Sequence, residues 1–76
     1  MDIENIRRIR THLRTVLEIQ RNDLREQIMR QVYDIYFDLN NNDKNILLDT
    51  LNNEYMFIFN NYLHLYFDSE LIINNE

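Results

Sequence analysis

The chain has 76 residues and a formal net charge of −5, with 45% hydrophobic and 28% charged residues. That length allows one small domain at most, residues 1–76, expected to be helical, and its ordinary apolar and charged fractions do not predict wholesale disorder. The absence of cysteine excludes disulfides and thiolate metal sites, and the absence of glycine excludes a glycine-rich phosphate loop.

Asn (twelve residues) and Ile (ten) dominate, whereas Gly, Pro and Ala are missing. This is the signature of AT-rich codon usage and fits a virus, phage, parasite or low-GC bacterium, with a viral or mobile-element origin expected for the leading function. With no helix breakers the chain should form few turns and long helices, and Asn must build its loops because it tolerates the left-handed region. No run of eighteen apolar residues is present, no secretory leader is expected, and Asp2 and Glu4 argue against a transit peptide. The expected location is intracellular, in the cytosol or nucleus.

Along residues 3–39, Ile6, Ile9, Leu13, Val16, Leu17, Leu24, Ile28, Val32, Ile35 and Leu39 recur at spacings of three and four, which predicts a long N-terminal helix. Asp23 followed by Glu26 resembles a capping box, so the helix has a candidate restart at Asn22-Asp23. Unbroken, it would reach about 54 Å, too long for a monomer of this size to cover. Asn40–Asn42 is the clearest turn, with Asp43 a candidate N-cap. A second, aromatic-rich helix is expected from Ile46 to Phe67, carrying Leu47, Leu48, Leu51, Tyr55, Ile58, Phe59, Tyr62, Leu65 and Tyr66 in one sector. The minor alternative is an α+β chain with a hairpin at residues 55–67 turning at Asn60-Asn61. The expected fold is therefore all-α: an αα-hairpin, two copies of which pair into a four-helix bundle because one buries too little.

Seven of the eight basic residues are arginines, all between Arg7 and Arg30. On a continuous helix Arg7, Arg10, Arg14, Arg21 and Arg25 share a sector of roughly 60°. Such a like-charged row is destabilising unless something anionic lies against it. AT-biased usage should favour Lys, so the arginines point to bidentate pairing with carboxylate or phosphate. Residues 1–30 carry seven bases and five acids, whereas residues 31–76 carry one base and eight acids. The acids Asp34, Asp38, Asp43, Asp49 and Glu54 are thus one candidate partner, within the chain or across a dimer. Phosphate of nucleic acid and the acidic patch of another protein are the others.

All nine aromatics lie between Tyr33 and Phe67. Tyr55, Phe57, Ile58, Phe59, Tyr62 and Tyr66 form a candidate oligomer or docking interface, with Phe57 outside the main stripe as the expected exposed anchor. No catalytic arrangement is present: His12 and His64 are the only histidines and Ser69 the only serine. No metal or cofactor site is expected, and no small-molecule substrate. A first helix without aromatics argues against a membrane surface. The leading expectation is a non-enzymatic protein–protein interaction module, an adaptor, accessory subunit or inhibitor. It would form a homodimer and dock another protein through the aromatic helix and the arginine stripe. The alternative is a nucleic-acid-binding protein using Arg7–Arg25, although the acidic pI near 4.8 disfavours it. A third reading is an acidic nucleic-acid mimic.

Overall fold

The computed structural model describes residues 1–74, with side chains described through His64. These residues are all-helical, in the order α1 (Ile3–Glu18), α2 (Asn22–Asp38), α3 (Asn41–Thr50) and α4 (Asn53–Asn74). Helix α1 packs on α2, and α4 lies against both.

The expected 3–39 helix is two helices. Its two buried stripes explain the break. In α1 the inward residues are Ile6, Ile9, Leu13 and Val16; in α2 they are Met29, Val32 and Tyr33. On one straight helix at about 100° per residue, these two sets would point roughly 170° apart. No single core can receive both, so the chain leaves helical geometry at Ile19 (φ −90°, ψ 137°) and doubles back. The restart falls at Asn22, but Arg21 occupies the N-cap and makes no capping bond through its side chain. The resemblance of Asp23 and Glu26 to a capping box marked the right place for a different reason.

The second expected helix is also divided. Asn40, rather than Asp43, caps α3: its Oδ1 accepts the Asp43 amide at 2.8 Å, and Asn41 and Asn42 are already helical. Leu51 is extended (φ −80°, ψ 131°), and Asn52 Oδ1 accepts the Tyr55 amide at 2.9 Å, capping α4. The hairpin at 55–67 does not form, because these residues lie within α4. Ile58, Phe59 and Tyr62 recur at helical spacing and turn together into the core, which a period-two strand would not allow.

One chain encloses its own core: Ile6, Ile9, Leu13, Val16, Met29, Val32, Tyr33, Leu39, Leu47, Ile58, Phe59 and Tyr62 are all buried. The accessible surface of 5478 Å² is close to the roughly 5,000 Å² expected of a compact monomer of this mass. The αα-hairpin that needed a second copy to bury its stripe is thus replaced by four helices in one chain. Two of the connecting contacts are polar. Tyr33 donates its hydroxyl to the Phe59 carbonyl at 2.6 Å and meets the Phe59 ring edge-on at 5.4 Å, fixing α2 against α4. Asp43 Oδ2 accepts the Asp2 amide at 3.1 Å, fixing the start of α3 to the start of α1.

Candidate functional site

The break at Ile19 divides the arginine row. Arg7, Arg10 and Arg14 remain together on the exposed flank of α1, at i, i+3 and i+7. Together with Thr11 of α1 and Tyr55 of α4 they line an open groove of about 260 Å³. Tyr55 is half-buried, with its ring against the core and the groove at its outer edge. Each contributor has a local cause. The α1 core residues at 6, 9, 13 and 16 set the phase that turns 7, 10 and 14 sideways, and the Asn52 cap sets where α4 begins and hence where Tyr55 stands.

Arg21 and Arg25 do not join this face. Arg21 grips Asp23 two residues on, with Nη2 to Oδ2 at 2.6 Å and Nε to Oδ1 at 3.2 Å. Arg25 donates Nε to the Ile19 carbonyl, which the end of α1 leaves without its usual partner. A guanidinium there also faces the negative end of the α1 dipole. Arg25 thus ties α2 back to the end of α1, whereas Arg21 makes a local, exposed pair.

The acidic half of the chain does not neutralise the remaining three. Among the described residues the ion pairs are Arg21–Asp23 and Arg14–Glu18, the latter at 4.0 Å with both side chains 74% exposed. A pair that open to water contributes little. Arg7 and Arg10 make no ion pair or side-chain hydrogen bond with a described residue, and neither do Asp34, Asp38, Asp49 and Glu54. Asp43 is 2% exposed and is engaged with Asp2, while its Oδ1 has no hydrogen-bond partner. The face therefore presents three guanidiniums beside Thr11 and Tyr55, a donor set suited to an oxyanion.

The aromatic candidates divide in the same way. Ile58, Phe59 and Tyr62 sit in the core of this chain, whereas Phe57 stands 68% exposed on the outer side of α4. The Tyr66 side chain lies outside the described residues. Two features escaped the periodicity reading. Tyr33 was hidden because the spacing pattern followed Val32 and Ile35, and burial, with the neighbouring Tyr62 second, raises its hydroxyl well above the ordinary tyrosine range. Thr11 joins the groove because it follows Arg7 by four residues, a signal that was present but polar and unremarked. Lys44, the one lysine, lies 5.6 and 5.5 Å from the rings of Tyr36 and Phe37 and is held by them.

Among the described residues no group of three or more His, Asp or Glu side chains is placed to hold a metal ion. No helix among them is long and apolar enough to cross a membrane. Set against protein-family models, curated proteins and solved structures, the chain matches none.

Proposed function

We propose that the chain is a non-enzymatic protein–protein interaction module whose α1 face receives carboxylates presented by a protein partner. The observation that carries this reading is the pair Arg7 and Arg10. They are exposed, like-charged neighbours that form no ion pair with a described residue, on a groove shared with Thr11, Arg14 and Tyr55. Like charges at this spacing destabilise α1 until an anion arrives, so the free energy of binding includes relief of that repulsion. Arg forks would set specificity and association rate more than total affinity. Phe57 offers an apolar contact beyond the groove.

Nucleic acid is the competing occupant. It is disfavoured by the net charge of −5 and by the loss of Arg21 and Arg25 from the row. Three phosphate contacts would give a salt slope near −2.7, or roughly a 40-fold loss of affinity between 50 and 200 mM salt. Fluorescence anisotropy with a labelled polyglutamate peptide and with a labelled DNA duplex tests the reading. Peptide binding that drops at least tenfold in Arg7→Gln/Arg10→Gln supports it. Tighter binding to the duplex hands the face to nucleic acid, and binding to neither defeats both.

A further inference from the structure

The fold leaves two complementary charged faces open on the same chain. One is Arg10 and Arg14 on α1; the other is Asp34 and Asp38 on α2. Each pair is spaced i, i+4 and so spans about 6 Å along its helix axis. All four residues are exposed. Asp34 and Asp38 have no ion pair or hydrogen bond with a described residue, and Arg14 has only its long contact to Glu18.

A single chain cannot bring these faces together. Relative to the buried stripe of each helix, the arginines point roughly 100° to the side of α1, and the aspartates point roughly 170° away on α2. Because α1 and α2 meet through their buried stripes, both charged faces turn outward.

The acidic face is also placed against the helix dipole. Asp38 is the last residue of α2 and Asp34 lies one turn earlier, with no base in the final turn. Two neighbouring carboxylates at the negative end of a helix repel both each other and that end. Cations supplied from outside the chain would relieve both repulsions, and Arg10 and Arg14 have the matching spacing.

We infer that the protein partner is a second copy of this chain, with Asp34 and Asp38 of one copy seated on Arg10 and Arg14 of the other. In a two-fold arrangement both contacts form at once. The inference rests on the protein-docking reading of the α1 face and names its occupant. It does not use the buried aromatic stripe, which one chain already covers.

Sedimentation equilibrium across a concentration series tests it, with circular dichroism confirming that each variant is folded. The wild type should rise from 9.5 kDa towards twice that mass. Arg10→Asp/Arg14→Asp and Asp34→Arg/Asp38→Arg should each remain monomeric alone. Their equimolar mixture should associate again, because in the mixed pair one contact keeps its native sign and the other is restored with reversed sign. A wild type that stays at 9.5 kDa, or a mixture that stays monomeric, overturns the pairing. If the monomeric wild type still binds the polyglutamate peptide, only this inference falls; if it binds nothing, the docking reading falls with it.

Discussion

The carboxylate of Asp43 accepts the backbone amide of Asp2, 41 residues earlier in the chain. Asp43 is the third residue of α3, the position from which an acid ordinarily reaches back to the amide of its own N-cap. Here it reaches to the N-cap amide of α1 instead. Asp2 in turn accepts from the Asn5 amide at 3.2 Å and from Asn5 Nδ2 at 2.7 Å. Two helix starts, both positive ends, thus share one buried carboxylate.

Removing that acceptor leaves the part-buried Asp2 amide without its partner. Asp43→Ala should lower stability by about 1–3 kcal/mol. At about 4–8 °C per kcal/mol for a domain of this size, the loss is visible in thermal melts. Asp43→Asn keeps one acceptor oxygen and should lose clearly less. Equal losses in the two variants would remove the Asp2 bond from the explanation.

The Tyr33 hydroxyl is held neutral by burial and bonded to Phe59. Its folded-state value lies above the unfolded 10.0, so the folded chain binds the proton more tightly. The associated stability is complete below pH 10 and is lost as pH rises beyond it. Tyr36 shifts the same way, through burial. Urea melts should therefore show falling stability above pH 10, and Tyr33→Phe should flatten that fall. At neutral pH the same substitution should cost about 0.5–1.5 kcal/mol for the lost hydrogen bond.

Two arginines in the same turn should behave differently. Arg25 satisfies the Ile19 carbonyl, so Arg25→Met should cost about 1 kcal/mol in urea melts. Arg21 pairs with Asp23 in the open, at 72% and 57% side-chain exposure. Arg21→Met should change stability by less than about 0.5 kcal/mol. The reverse order would contradict the placement of Arg25.

Phe57 and Phe59 provide the matching test on α4. Phe59→Ala empties a core site and should cost about 3–5 kcal/mol. Phe57→Ser should leave the melt within about 0.5 kcal/mol of the wild type. A large loss from Phe57→Ser in dilute solution would mean that its ring is covered by something other than water.

Much of this fold was legible in the sequence because helix periodicity is a local property. The helicity of every segment, the turn near Asn40 and the exposure of Phe57 all follow from spacing within one or two turns. The restart near Asn22 was visible only as the capping-box pattern of Asp23 and Glu26, although Arg21 occupies the N-cap. The cap at Asn52 was equally local but masked by the apolar run on either side of it. The half-turn phase change between Leu13 and Met29 was also present, yet spacings of three and four alone do not reveal it. A drifting row through Leu24, Ile28 and Ile35 fits them as well as the true inward row does.

The sequence by itself pointed to helices throughout, with a hairpin at 55–67 left open, and placed arginines in its first part and carboxylates in its second. Only the tertiary structure decided which of those charges meet. By folding back at Ile19 it left Arg7, Arg10 and Arg14 together on one face, drew Arg25 to the Ile19 carbonyl and left Arg21 paired with Asp23 in the open. By tying the start of α3 to the Asp2 amide it engaged a buried Asp43, and it left Asp34 and Asp38 facing out. Charge pairing acts over a few ångströms between residues tens of positions apart, so it is set by where helices pack. That packing is decided by one core, which α1, α2 and α4 must all face at once.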